Sequence, residues 1–167
     1  MPVLEELYAM ERAKQISMDT WTWNIFTPAP LAPGQTVQIS FQVDADSDFL
    51  ARYVNLTLWQ GSPGPPPNMN VYQFPPPLLW SISDTGSGRN LQNQPYSGSN
   101  MAGGAAFPMG MLPGILPEPK LFVAASVVTV TLNSPAAIGT TTFGRVDVTF
   151  IGNKIFYFGQ FKRGTMP

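Results

Sequence analysis

Alternation between apolar and polar residues is the main pattern along this chain, and it is clearest in residues 37–43, VQISFQV. A period of two residues directs successive side chains to opposite faces of a β-strand, so that one face can pack against a core. The same spacing recurs in residues 20–25, 49–59, 78–84, 126–133, 142–152 and 155–162. The pattern predicts about seven or eight strands. Twelve apolar positions are expected to share one core, namely Val37, Ile39, Phe41, Val43, Val54, Leu56, Leu58, Val128, Val130, Val146, Val148 and Phe150.

Residues 3–16, VLEELYAMERAKQI, have the spacing of a short amphipathic helix. Leu4 and Leu7 fall on one side, and the first acidic residues precede the basic ones, as the helix dipole favours. A helix of about four turns is too short to be stable alone. We therefore expect it to dock, either on its own domain or on a neighbouring subunit.

Long proline-rich connections separate several of the predicted strands. Triple prolines occur at residues 65–67 and 75–77, and such stiff segments cannot join the interior of a sheet. The dipeptide at 152–153, Gly-Asn, predicts a tight hairpin turn between the last two strands. The pattern favours an all-β, antiparallel β-sandwich, and a jelly roll fits both the strand number and the long crossings. We expect residues 1–34 to form an N-terminal helix or arm with a tryptophan-rich strand, and residues 35–167 to form the β-sandwich domain.

Charged residues make up only 11% of the chain, against roughly 25% in an average soluble domain. A monomer with so little charge has difficulty covering itself with a soluble surface, and burial against partner subunits removes that difficulty. The nine basic residues are scattered and the net charge is −1, which argues against nucleic-acid binding. The longest uncharged run, residues 90–117, is rich in Gly, Pro and Asn and does not suit a membrane helix.

Histidine and cysteine are both absent from the sequence, which excludes Ser–His and Cys–His catalysis and most zinc sites. Asp44, Asp46 and Asp48 have the spacing that begins a calcium-binding loop. Phe49, however, occupies the place of the sharp-turn glycine, and Asn55 that of the bidentate glutamate. We interpret these acids as a solvated turn between two strands, and expect no catalytic residue, metal ion, cofactor or small-molecule substrate.

A glycine-rich motif, DTGSGR, occupies residues 84–89. A phosphate-binding loop would require a helix directly after the glycines, and no helical pattern follows them. The motif is therefore interpreted as a β-turn.

The tryptophans allow a second interpretation, in which the chain is a carbohydrate-binding module. Trp21, Trp23, Trp59 and Trp80 could stack on sugar rings, but each lies in or beside a strand pattern, where packing in a core or an interface is the commoner role. Sugar binding would require two or three of these rings to be coplanar on an exposed face.

The segment 101–117, MAGGAAFPMGMLPGILP, is apolar and uncharged, yet its composition does not favour regular structure. A free surface loop is normally polar, so this segment either crosses the core of its own domain or is covered by another subunit. Methionine suits adaptable contact surfaces. The residues predicted for a subunit interface are Leu4 and Leu7 of the helix, and Phe107, Met109, Met111 and Leu112 of this segment.

The order of several segments resembles a family of small structural proteins encoded near the head genes of tailed bacteriophages. DADSDFLARYVNLTLW is followed by SISDTGSGRNLQNQP, then by FPMGMLP, VVTVTLNSPAA and VDVTFIGNKIFYF. The recurring features are an acidic strand start with Phe, a D-x-x-S-G-R-x-L turn and a final G-x-K motif. The resemblance covers roughly residues 40–158 and includes no catalytic residue.

This resemblance implies a virion protein that decorates or cements the capsid surface after assembly in the host cytoplasm. Its partners would be the major capsid protein and further copies of itself, with a homotrimer expected from the resemblance. A head-to-tail connector or tail component is the alternative within the same class, and a carbohydrate-binding receptor module is the alternative from another class.

Overall fold

Ten β-strands and one short helix form the regular structure of the residues that the computed structural model describes, which are 4–62, 68–71, 78–90, 95–97, 114–136 and 142–158. The elements are α1 (Leu4–Arg12), β1 (Ile16–Phe26), β2 (Thr36–Gln42), β3 (Asp48–Ser62), β4 (Asn68–Val71), β5 (Leu79–Asp84), β6 (Arg89–Asn90), β7 (Tyr96–Ser97), β8 (Gly114–Phe122), β9 (Val127–Asn133) and β10 (Arg145–Tyr157). The predicted fold class is confirmed, because the strands form two antiparallel sheets packed as a sandwich.

Each sheet has three strands in sequence across it and two further strands that both pair with the third. The first sheet runs β1-β10-β3, with β4 and β8 both paired to β3, and the second runs β2-β9-β5, with β6 and β7 both paired to β5. The long strands β1, β2, β3, β5, β8, β9 and β10 therefore alternate between the two sheets along the chain. This alternation is consistent with a jelly roll, in which successive connections cross from one sheet to the other.

The main core lies between the two sheets and contains all twelve positions expected from the alternating pattern. Eleven of them are buried, and Val37 packs against the cluster in a partly buried position. The largest side chains that complete this core are Trp80, Phe49, Phe122 and Phe143. The prediction holds here because burial of one strand face requires apolar residues at every second position.

A second, smaller core lies on the outer face of the first sheet, beneath α1. Leu7 of the helix packs with Ile16, Leu50 and Ile155, and Leu4 contacts the same cluster. The helix thus docks on its own chain, which was one of the two expected possibilities. Strand β1 pairs along its whole length with β10, so the sheet continues across the predicted boundary at residue 34.

The predicted hairpin turn at 152–153 is wrong, because β10 runs through these residues without a turn. Gly152 lies instead where the register between β10 and β3 shifts, and Arg52 has no partner in the ladder. A side chain at Gly152 would collide with the backbone carbonyl of Leu50. The glycine is required for the close approach of two strands rather than for a turn.

Strand β8 was not predicted, because the apolar segment 101–117 overlaps its beginning. This strand contains two prolines, and it lies at the edge of its sheet, paired only with β3 among the described residues. Residues 116–119, LPEP, stand opposite Arg52, where the register between the two strands shifts. Both prolines therefore fall within an irregular stretch of an edge strand, the location in which a sheet tolerates them.

Candidate interaction surface

Asp44 and Lys154, which belong to two of the sequence motifs named above, meet at one end of the sandwich. Lys154 of the G-x-K motif forms an ion pair with Asp44, and its Nζ lies 3.5 Å from the centroid of the Trp21 indole ring. Lys154 is only 8% exposed, so its charge needs these partners to offset the loss of hydration. The contact joins β10 to the end of β2 and leaves the ammonium group engaged within the fold.

Asp46 and Asp48, the other two acids of the group that contains Asp44, have different surroundings. The Asp48 carboxylate accepts hydrogen bonds from the Ala124 backbone N–H at 2.7 Å and from the Tyr157 hydroxyl at 3.0 Å. Asp46 is exposed. The predicted solvated turn is therefore wrong for Asp48, which is buried and connects β3 to the β8–β9 connection. Within the described part of the chain, no three acidic residues are grouped as metal ligands would be.

The DTGSGR motif begins with a closed turn between β5 and β6, as predicted. The Asp84 carboxylate accepts hydrogen bonds from the backbone N–H groups of Gly86, at 2.9 Å, and Ser87, at 3.0 Å. Such an Asx turn is a common way for aspartate to stabilise a bend. Gly86 packs so tightly that a Cβ atom there would lie 2.5 Å from Val123 and 2.9 Å from Ser126. The motif therefore forms a turn that packs tightly against the β8–β9 connection.

The four tryptophans, all within the described residues, do not form the coplanar platform that sugar binding would require. The Trp21 and Trp23 rings are inclined at 65° to each other, and Trp23 stacks on Phe41 with the ring centroids 5.0 Å apart. Trp80 is buried in the main core. Trp59 lies on the opposite face of the first sheet from Trp21, where its Nε1–H donates to Asp147 at 2.8 Å.

The outer face of the second sheet is polar but carries no charged side chain on its three long strands. We call this surface the uncharged face. Its residues are Thr36, Gln38, Ser40 and Gln42 of β2, Val127, Thr129, Thr131 and Asn133 of β9, and Leu79, Ser81 and Ser83 of β5. Two cross-strand hydrogen bonds order it, one from Gln38 to Thr131 at 3.4 Å and one from Asn133 to Thr36 at 2.8 Å.

The uncharged face is chemically suited to contact another protein. Hydroxyl and amide groups lose less free energy on leaving water than ionised groups do, and they can exchange hydrogen bonds with a partner. The outer face of the first sheet differs, because α1 covers one of its ends and the Arg145–Asp147 ion pair lies at the other. Among the long strands that the structure describes, β2, β9 and β5 together present a continuous outer surface without charged side chains.

Of the interface residues predicted from the sequence, Leu4 and Leu7 lie within the described residues. Leu7 is 1% exposed and packs inside its own chain, and Leu4 is partly buried against the same cluster. Phe107, Met109, Met111 and Leu112 lie outside the described residues. The predicted subunit interface stays a prediction.

Sequence reasoning missed the uncharged face, although a signal for it exists. Residues 36–42, 79–83 and 127–133 contain no Lys, Arg, Asp or Glu, whereas the polar side of an exposed strand usually includes some. The three segments become one surface only when β9 is known to lie between β2 and β5.

The comparisons with known proteins add no family assignment. No protein-family model matches the sequence. No curated protein is significantly similar to it. No helix in the described ranges is long and apolar enough to cross a membrane.

Proposed function

We propose that this chain is a non-enzymatic virion protein that decorates and stabilises a bacteriophage capsid, and that it binds the lattice of the major capsid protein through the uncharged face. The order of the sequence motifs supports the assignment to phage structural proteins. The observation that carries the proposal is the uncharged face, because the outer surface of three long strands carries no charge, and the buried core of a protein contact is likewise depleted of charged residues.

The roles of the motif residues support a protein without catalytic activity. Asp44 and Lys154 neutralise each other, Asp48 joins β3 to the β8–β9 connection, and Asp84 closes the turn after β5. Each of these ionisable groups is engaged in holding the sandwich together. The motifs therefore support a shared scaffold rather than a shared active site.

The proposed mechanism is the burial of surface across the seams of the capsid. A standard protein interface buries roughly 1,600 Å² in total, and the uncharged face can supply part of such a contact with little cost of desolvating charge. Repeating a modest contact over many lattice positions makes the shell harder to open, because separation requires many contacts to break together.

A pair of matched charge substitutions tests this proposal. Thr131 and Thr57 are partly buried threonines on the outer faces of the two sheets, one on β9 and the other on β3. Particles of the encoding phage that lack the protein are mixed with each variant, and bound protein is quantified after sedimentation. Thr131→Lys should weaken binding at least tenfold, or about 1.4 kcal/mol, because it places a charge in a desolvated contact.

Thr57→Lys should bind like the wild type. Equal binding by both variants would contradict the assignment of the uncharged face. If electron microscopy finds the wild-type protein at the tail or its junction with the head and not on the shell, the connector or tail alternative replaces the decoration function.

A further inference from the structure

Strand β1 forms an unusually open edge of the first sheet. It has 11 residues and pairs with β10 on one side, and no described strand pairs with its other side. Natural proteins protect sheet edges with short strands, prolines, lysines or bulges, because free N–H and C=O groups attract further strands. The sequence of β1, ISMDTWTWNIF, contains no proline, glycine or lysine, and Asp19 is its one charged residue.

The hydrogen bonds at the two ends of β1 show which backbone groups face the open edge. The Thr27 N–H donates to the Val146 carbonyl of β10 at 3.0 Å, so odd-numbered residues face β10. The Met18 N–H donates to the Glu11 carboxylate at 3.1 Å, on the other side of the strand. Because the direction alternates along an antiparallel strand, the residues that point to the open edge are Thr20, Thr22, Asn24 and Phe26.

The open stretch has a defined end on each side. Glu11 already occupies the Met18 N–H, and Pro28 has no N–H to donate. The four residues between these ends present matching donors and acceptors over a continuous stretch. Such an edge can accept one further extended strand of the same length.

We propose that β1 pairs antiparallel with β1 of a second copy of this chain, across a two-fold axis at Trp23. This register places Thr20 opposite Phe26 of the second copy and Thr22 opposite its Asn24. All four open residues of both copies then form hydrogen bonds, and Met18 falls opposite Pro28, where neither copy needs a bond.

The charge distribution fits a second copy of the same chain. In this register Asp19 lies opposite Thr27 of the second copy, and the two Asp19 residues are separated by about eight residue steps, or roughly 27 Å. That distance exceeds the Debye length of about 8 Å at physiological ionic strength, so like charges do not oppose the pairing. To pair with this edge, a strand of another protein would need a stretch of the same length that is equally free of charge, a condition that β1 of a second copy meets.

Exposed aromatic side chains on β1 favour the same pairing. Trp21 is 42% exposed and Phe26 is 52% exposed, values that are high for large apolar side chains. In the proposed register Trp21 lies opposite Ile25 of the second copy, and Phe26 opposite Thr20. Cross-strand pairs of this kind stabilise antiparallel sheets, so the contact would cover both aromatic rings.

Matched proline variants test the pairing on the isolated protein, independently of any capsid. Thr22→Pro removes an N–H of the open edge of β1 and keeps the bonds to β10. Ser40→Pro is the control for dimerisation alone, because Ser40 belongs to the uncharged face and lies at the middle of β2, the edge strand of the second sheet. Its N–H also faces away from the partner strand. Circular dichroism establishes that each variant is folded.

In sedimentation equilibrium, the wild type and Ser40→Pro should be dimers, in place of the homotrimer expected from the resemblance, and Thr22→Pro should dimerise at least tenfold more weakly. A wild-type monomer or trimer, or a Thr22→Pro variant that dimerises normally, would overturn the proposal. So would a wild type that is monomeric alone and adds only a strand of the capsid protein.

Disulfide cross-linking tests the register, and it does not depend on the proline variants folding. The chain has no cysteine, so any disulfide must join introduced residues. Residues 22 and 24 of two copies would have Cα atoms about 5.5 Å apart, within the range of a disulfide, whereas two residues 22 would be too far apart. A mixture of Thr22→Cys and Asn24→Cys should give a covalent dimer, and neither variant alone should. Cross-linking of Thr22→Cys with itself would overturn the register.

Discussion

Gly152 lies where β10 passes closest to β3, and the absence of a side chain makes that approach possible. A Cβ atom at this position would overlap the Leu50 carbonyl and press on the Ala51 backbone. Two backbones cannot move apart without breaking the ladder on both sides of the bulge. One residue thus decides that β10 continues as a single strand and carries Lys154 to the Asp44 side of the sandwich.

Gly152→Ala should lower the free energy of unfolding by about 1–3 kcal/mol, because the added methyl group must displace backbone rather than a flexible side chain. Urea denaturation of the purified protein measures this change. Gly88→Asn is the matched control, since Gly88 has a φ of +62° with open space around it and asparagine tolerates that conformation. A Gly152→Ala variant as stable as the wild type would contradict the close approach.

At the scale of elements, α1 is held by its own domain although it is too short to persist alone. Leu7 is inserted between β1, β3 and β10, and Glu11 binds the backbone of Met18 on β1. The helix therefore covers one end of the first sheet and also closes one end of the open edge of β1. Its position limits the length of strand that can be added there.

For the apolar segment 101–117, the sequence leaves open whether it packs in the core of its own domain or against another subunit. Phe107→Asp together with Met111→Asp should leave the β-sandwich folded and weaken self-association or attachment to the shell, because it places charges in the predicted contact. Thermal unfolding measures the first effect and particle sedimentation the second. Leu7→Asp is the control for a buried position, and it should lower the thermal midpoint. If the double variant fails to fold, the segment belongs to the core of its own domain.

At the scale of the whole molecule, stability comes from the two inner sheet faces closing on one another. Val148 is fully buried on β10, the strand between β1 and β3, and it faces the main core. The outer surfaces of the same two sheets serve different purposes. The first supports α1, and the second presents the uncharged face.

Val148→Asp should abolish folding, because a buried unpaired charge costs several kcal/mol in a domain whose total stability is about 5–15 kcal/mol. Thr149→Asp is the neighbouring control, since Thr149 points to the opposite face and is partly exposed. Circular dichroism and solubility after expression distinguish the two. A Val148→Asp variant that folds well would contradict the assignment of this strand face to the core.

Much of the fold could be predicted because strand alternation is a local property. The alternate apolar pairs Val128 and Val130, and Leu56 and Leu58, predict a buried strand face from the sequence of their own segment. Both pairs are buried as expected. The errors arose where a residue's role depends on a distant backbone. The local sequence at Gly152 is typical of a turn, but β3 packs beside this glycine. The local sequence at Asp48 is typical of a solvated loop, but Asp48 binds Ala124 and Tyr157, which are distant in the chain.

The sequence by itself determined most of the long strands, the all-β class, the absence of histidine and cysteine, and the low content of charged residues. Only the tertiary structure decided that β2, β9 and β5 combine into one uncharged face, and that β1 ends the first sheet with an open edge. The physical reason is that hydrophobic periodicity acts over a few residues, whereas sheet order depends on pairing between strands far apart in the chain, such as Gln38 with Thr131.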